Sequence, residues 1–141
     1  MPITSDGCFL AYKAVSNDFH DLWSHSIDNS VGSTPEVPRD KVDSNRDRGC
    51  SNGLHVGAID YAAQYGGIDL KVDDEDGGGG NNIVIAKVNP RDVVSVPTCS
   101  RYQKLRCCKY EVVSEEWKEE ITAKLVRVKE VLGKVNKYAT V

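Results

Sequence analysis

The sequence predicts an α+β domain with a small mixed or antiparallel sheet, a short middle helix and a long C-terminal helix. Three observations predict it: short apolar runs are bounded by turn residues, residues 104–113 alternate in polarity, and one apolar stripe follows Ser114 at helical spacing. The 141 residues fit one domain, placed at 1–141. Its core covers about 8–113, and the C-terminal helix covers about 114–138.

The composition excludes several classes of protein. With 40% hydrophobic and 28% charged residues, the chain is typical of a soluble globular domain. A net charge of -3 weighs against general nucleic-acid binding, although Lys104, Arg106 and Lys109 are candidates for a local basic patch. The first residues lack the apolar segment of a signal peptide and no run is long enough to cross a membrane, so we expect a cytoplasmic protein. The five cysteines lack paired Cys-x-x-Cys spacing, which predicts reduced thiols rather than structural zinc.

Two strands and a helix are predicted in the first half of the chain. Residues 8–15 are apolar and aromatic enough for a strand, and residues 54–57 form a second, shorter one. The long segment between them is rich in Ser, Asp, Asn, Gly, Pro and Arg, which predicts an irregular loop of a kind that is often functional. Residues 58–65 then place apolar side chains at helical spacing, and Gly66–Gly67 end the predicted helix.

The second half of the chain is predicted to add strands and the long helix. Residues 68–88 read as a hairpin with an acidic, glycine-rich tip, and residues 89–97 as a turn followed by a strand. The alternating run 104–113 is predicted to be one longer strand. Ser114 is a predicted helix N-cap, since acidic residues follow it in the first turn, where the helix dipole favours them.

A candidate ligand-binding face surrounds the second strand. Alternation places His55 on the opposite face from its two apolar neighbours, so that its side chain points into a cleft or into solvent. Tyr12, Tyr61 and Tyr65 are candidates for stacking on a base or a nicotinamide ring, and core packing is the alternative for each of them.

Charged side chains supply further candidates. Glu111 lies in a predicted strand, where it either stays solvated or forms an ion pair. Beside a cleft, it would instead bind a ribose hydroxyl or stabilise developing positive charge. The long loop carries basic residues that either close over phosphates or remain solvated: Arg39, Lys41, Arg46 and Arg48. The same loop contains metal-ligating side chains whose spacing matches no established site, so no metal centre is predicted: Asp18, His20, Asp21, His25 and Asp28.

Several long segments resemble the C-terminal region of the phage rapid-lysis RIIB family. They are "LAYKAVSNDF", "DNSVG", "PRDKVDSNRDRGCSNGLHVGAIDYAAQYG", "IVIAKVNPRDVVSVP" and "LRCCKYEVV", and together they span about residues 8–113. The resemblance departs at the glycine-rich hairpin tip and at the C-terminal helix. It implies a phage protein that acts in the cytoplasm of an infected bacterium, and it brings no established chemistry.

A second similarity is to the ADP-ribosyltransferase fold, carried by "LAYKAV", "GLHVGAIDYAAQY", "IVIAKVNPRDVV" and "KYEVV" in the same order. It implies an ADP-ribosyltransferase-like arrangement in which His55 stands where nicotinamide stacks. Tyr61 and Tyr65 would follow on a helix, and Glu111 is the nearest match to the catalytic glutamate. The ribose-binding residue of the first strand has no clear counterpart, because Tyr12–Lys13 occupies its place.

These observations support three hypotheses. The first is a non-catalytic module that sequesters a nucleotide-type host immune signal, such as a cyclic nucleotide or an NAD-derived cyclic ADP-ribose, without a cofactor. Its predicted ligand-binding residues are Tyr12, Lys13, Arg48, His55, Tyr61, Tyr65 and Glu111. The second is an ADP-ribosyltransferase-like enzyme in which Glu111 is catalytic. The third is a protein-interaction module, or a homo-oligomer, that uses the apolar stripe of the C-terminal helix.

Overall fold

The computed structural model of the chain describes residues 1–67, 81–98 and 103–116. These residues contain six β-strands and one α-helix. In chain order they are β1 (Phe9–Val15), β2 (Leu54–Gly57), α1 (Ile59–Tyr65), β3 (Asn82–Val88), β4 (Val93–Ser95), β5 (Lys104–Cys107) and β6 (Glu111–Glu116). No helix in these segments is long and apolar enough to cross a membrane.

All six strands belong to one antiparallel sheet in the order β4-β5-β2-β1-β3-β6. The longest pairing joins β1 to β3 from Phe9↔Val88 to Val15↔Asn82. The described part of the chain is therefore mainly β with one short helix, and the predicted α+β class is wrong. The predicted strands at 8–15 and 54–57 and the short helix after them are confirmed, since each is specified by its own apolar pattern.

The predicted C-terminal helix is wrong at its start. Residues 114–116 continue β6 and pair with β3, from Ile85 back to Ile83. The N-cap signal at Ser114 is a local preference of about 1 kcal/mol. Backbone hydrogen bonds and burial beside β3 outweigh that preference. Residues 117–138 of the predicted helix lie outside the described residues, as do residues 68–80 of the predicted hairpin.

The predicted single strand 104–113 is two strands at separate places in the sheet. β5 pairs with β2 and β4, β6 pairs with β3, and only residues 108–110 connect them. In a flat sheet, four strand spacings would separate β5 from β6 by about 19 Å. The connection reaches at most about 14 Å when fully extended. The sheet must therefore curl, so that β5 and β6 approach each other.

One face of the curled sheet, the inner face, carries the larger core. Alternate strand residues point to it, and its buried members are Ala11, Val15, Leu54, Val56, Val84, Ala86, Val88, Leu105, Cys107, Tyr110 and Val112. The long loop between β1 and β2 covers this core with Phe19, Ile27 and Val37. A buried hydrogen bond from the Tyr110 hydroxyl to Asn29 Oδ1 holds the loop in place. The predicted irregular loop is thus a structural layer of the protein.

The opposite face of the sheet, the outer face, carries α1. A smaller core joins the helix to the central strands through Tyr12, Ile59, Ala62, Ala63 and Ile83. The helix ends after Tyr65, where the Gly66 N–H donates to the Ala62 carbonyl and Gly67 adopts a φ of 62°. This packing places Tyr61 beside Gly57 of β2 and Lys104 of β5.

Candidate functional site

His55 lies on the outer face at the centre of the candidate site. Its neighbours Leu54 and Val56 are 3% and 1% exposed and belong to the inner core, so the predicted alternation is confirmed. The cross-strand partner of His55 is Arg106 on β5. Residues directly opposite in an antiparallel pair share a face. The imidazole therefore lies beside a row of basic side chains from β5.

The surroundings of His55 keep its imidazole neutral at pH 7. Burial, followed by the charges of Lys13, Lys104 and Arg106, lowers its pKa from 6.5 to about 4, and a hydrogen bond with the backbone of Gly53 acts in the opposite direction. Its Nε2 atom is buried and makes no hydrogen bond. A buried ring nitrogen without a partner, next to several cations, is an unusual and costly arrangement.

Lys104 and the tyrosines of α1 complete the site. Lys104 is 5% exposed, and its ammonium lies 5.4 Å from the centre of the Tyr61 ring. None of the ion pairs within 1–67, 81–98 and 103–116 includes Lys104. The rings of Tyr61 and Tyr65 stack with centroids 6.2 Å apart, and Tyr65 is 53% exposed. We call His55, Lys104, Tyr61 and Tyr65 the His55 face.

The other residues predicted to bind a ligand do not join the His55 face. Tyr12 is buried beneath α1 and belongs to the small outer core. Arg48 lies in the long loop, where its exposed guanidinium pairs with Asp43 at 3.2 Å. Glu111 is exposed on the edge strand β6. β1 and β3 lie between β2 and β6 in the sheet, so Glu111 and His55 are not on adjacent strands.

Lys13 points to the inner face, since it neighbours Tyr12 in β1 and adjacent strand residues face opposite ways. Its ammonium lies 6.0 Å from the centre of the Tyr110 ring and donates a hydrogen bond to the His55 carbonyl at 2.7 Å. β1 and β2 are paired only at Tyr12↔Gly57. The Lys13 ammonium therefore donates to a carbonyl of β2 at a point where β1 no longer pairs with β2. Burial lowers the pKa of Lys13. Lys13 thus supports the backbone of His55 from the other side of the sheet.

Arg106 is a buried clamp on the loop beside the site. It is 0% exposed. Its Nε donates to Asp43 O at 2.8 Å, and its two terminal nitrogens donate to Arg48 O at 2.6 Å and Asn45 O at 2.5 Å. One terminal nitrogen also lies 3.2 Å from Ser95 Oγ. The guanidinium therefore fixes the course of the loop that leads into β2.

Sequence reasoning treated Lys104 and Arg106 only as members of a basic patch. The orientation of these two side chains could have been predicted from the alternation of β5, because the apolar residues Leu105 and Cys107 point to the inner face. The lysine and arginine must then point to the outer face. Their position opposite β2 depends on strand order, which alternation does not give.

The depressed pKa of His55 predicts a pH-dependent stability. The unfolded chain binds a proton near pH 6.5, whereas the folded chain binds it only near pH 4. Stability is therefore complete above pH 6.5 and falls as pH drops toward 4, by about 2 kcal/mol after allowance for partial solvent screening. Urea unfolding across this range is expected to show this loss in wild type and not in His55→Gln. Tyr65→Phe, which removes no group titrating in this range, serves as the control, and an equal slope in all three proteins would contradict the prediction.

Comparison with known proteins identifies one family. The family model for bacteriophage T4 protein rIIB matches residues 1–138. Protein rIIB of Enterobacteria phage T4 is 38% identical over 113 residues, which cover 80% of this chain and 33% of the T4 protein. The chain thus spans about a third of the length of this relative. No solved structure matches the chain, so the predicted likeness to the ADP-ribosyltransferase fold is unsupported.

Proposed function

Because this chain belongs to the phage T4 rIIB family, we propose that it is a phage module that binds a nucleotide-type small molecule at the His55 face. The ligand's phosphate lies between His55 Nε2 and the Lys104 ammonium, and its base stacks on the exposed ring of Tyr65. The module holds this ligand without transforming it.

The observation that carries this proposal is the buried, unpartnered Nε2 of His55. Leaving such an atom without a hydrogen bond costs about 1–3 kcal/mol. A bound anion would give this nitrogen a partner. The negative charge of the anion offsets the repulsion between the imidazole and Lys104, so the imidazole becomes protonated and Nε2 donates a hydrogen bond to the anion. Phosphate is the anion that lysine commonly binds as a point charge.

The stacked tyrosines support an aromatic ligand rather than a simple anion. Tyr65 presents a half-exposed ring at the end of a stack that begins at Tyr61 and the Lys104 ammonium. Stacking of one base on such a ring contributes about 1–3 kcal/mol and tolerates any base identity. The stacked rings therefore support a nucleotide-type ligand without favouring one base.

Binding is favoured over ADP-ribosyl transfer by the place of Glu111. The transferase hypothesis needs this carboxylate beside the bound nucleotide, and the sheet puts two strands between Glu111 and His55. For a phage protein in the cytoplasm of an infected bacterium, holding a host signal nucleotide would serve counter-defence. This role requires only enclosure of the ligand.

Calorimetric titration tests the proposal with ADP-ribose, cyclic ADP-ribose, cyclic dinucleotides and orthophosphate. Each titration is run between pH 4 and 6.5 in two buffers of different ionisation enthalpy, so that proton uptake is measured. Wild type is expected to bind a nucleotide with uptake of a proton, and His55→Gln to bind without it. Lys104→Met is expected to weaken binding at least about tenfold, because it removes a charged hydrogen-bond donor.

Glu111→Gln is the matched control and is expected to bind like wild type. Chromatography of the recovered ligand is expected to show it unchanged. Failure of every nucleotide to bind would overturn the proposal, as would binding that is indifferent to both His55→Gln and Lys104→Met. Ligand turnover that depends on Glu111 would replace it with the enzyme hypothesis.

A further inference from the structure

We propose that Asp18, His20 and His25 form a site for one divalent transition-metal ion. The three side chains lie in the loop after β1. They are distant in sequence from the His55 face, and they would bind a different kind of ligand. Their sequence spacing predicted no metal centre, but the fold of the loop brings their ligand atoms within 4.8 Å of one another. This inference is independent of nucleotide binding.

The distances within the cluster suit a metal ion. One Asp18 carboxylate oxygen lies 3.4 Å from His20 Nδ1, and the other lies 3.2 Å from His25 Nε2. Two ligands that each lie about 2.1 Å from a tetrahedral ion are about 3.4 Å apart. The two imidazoles also lie nearly parallel, with centroids 5.3 Å apart. Shifts of about 1 Å would therefore bring all three groups to coordination distance.

The backbone of the turn after Asp21 fixes the position of His25. The buried carboxylate of Asp21 accepts hydrogen bonds from the N–H groups of Ser24, Ser26 and Ile27 at 2.7, 3.0 and 2.8 Å. This turn places His25 at a φ of 58°, a left-handed conformation uncommon outside glycine. The His25 N–H donates to the Asp21 carbonyl at 3.0 Å.

The ligand set selects the class of metal. Two imidazoles and one carboxylate favour Zn²⁺ and its neighbours in the first transition row over Mg²⁺ or Ca²⁺, which prefer oxygen ligands. The side chains of His20, Asp18 and His25 are 35%, 54% and 59% exposed, so water has access to a fourth position.

Titration of the full, reduced chain with Co²⁺ tests the site, because the visible spectrum separates nitrogen and oxygen ligands from thiolates. One equivalent is expected to bind with nitrogen and oxygen coordination, and Zn²⁺ is expected to displace it. Because these side chains are exposed, Asp18→Asn and His25→Gln are expected to fold and to bind at least about tenfold more weakly. In ¹⁵N-detected imidazole spectra, Zn²⁺ is expected to shift the ring nitrogens of both histidines.

Asp28→Asn is the matched control, since Asp28 is an exposed acid whose backbone pairs with His20 but which is outside the ligand set. It is expected to bind Co²⁺ like wild type. Thiolate absorption, unchanged binding in both Asp18→Asn and His25→Gln, or no binding at all would overturn the metal site. None of these results would bear on nucleotide binding, which is measured with metal-free protein.

Discussion

Arg106→Met is expected to lower the free energy of unfolding by about 3 kcal/mol or more. The substitution removes the donors for three loop carbonyls, those of Asp43, Asn45 and Arg48. Each buried acceptor left without a donor costs about 1–3 kcal/mol. None of the ion pairs among residues 1–67, 81–98 and 103–116 includes Arg106, so the gain from no longer burying its charge offsets part of this loss. The loss remains larger, because several carbonyls depend on one guanidinium.

Arg106→Lys separates geometry from charge. Lysine keeps the positive charge but is a single point donor, whereas the guanidinium is a rigid fork that reaches several carbonyls at once. We therefore expect the lysine variant to be about as unstable as the methionine variant. Urea unfolding measures both, and hydrogen exchange of residues 43–52 is expected to accelerate in each.

Arg91→Met is the control for loss of an arginine. The Arg91 side chain is 78% exposed, and its one ion pair within the described segments, with Asp92, spans 3.9 Å. Its replacement is expected to change stability by less than about 0.5 kcal/mol. Recovery of wild-type stability by Arg106→Lys would show that the positive charge, rather than the clamp on the loop carbonyls, holds this part of the fold.

The elements that could be predicted are those specified by neighbouring residues. The alternation around Leu54 and Val56 gave both β2 and the orientation of His55, and the glycines after Tyr65 gave the end of α1. Long-range pairing was not predictable in this way. Residues 114–116 have a helix-start pattern, yet β3 offers them a strand partner.

The same distinction explains the candidate site. Lys13 follows Tyr12 directly, so strand geometry already implied that the two could not line one face. The separation of Glu111 from His55 by β1 and β3 follows from strand order, which depends on pairing between distant segments. Lys104 became part of the site only through its register with Gly57. The chemistry was visible in the sequence, but its assembly depended on contacts between distant segments.

Gly57→Ala is expected to destabilise the protein by about 3 kcal/mol and to disrupt the His55 face. The reason is space rather than backbone conformation. An added Cβ would overlap the Gln103 carbonyl oxygen and would lie 3.0 Å from Tyr61 Cδ1 and 3.2 Å from Lys104 Cα. The carbonyl also accepts the Ala58 N–H at 2.8 Å, so β5 cannot move away without losing that bond. Overpacking of this kind typically costs about 1–3 kcal/mol, and a rigid backbone neighbour puts it at the upper end.

Two further variants locate the cause of the loss. Gly32→Ala adds a methyl group in open space at a φ of 94°, so it is expected to cost only about 1 kcal/mol of backbone strain. In Gly57→Ala combined with Tyr61→Ala, the tyrosine contact is gone but the Gln103 overlap remains. Thermal and urea unfolding are expected to show no rescue by the second change. If the double variant recovered the stability of the Tyr61→Ala protein, the crowding would come from the Tyr61 ring. The spacing between β2 and β5 would then not depend on a glycine at position 57. Since Lys104 follows Gln103 in the chain, any shift of β5 that relieved the overlap would also move the Lys104 ammonium relative to His55. Gly57 is therefore important for the site as well as for the sheet.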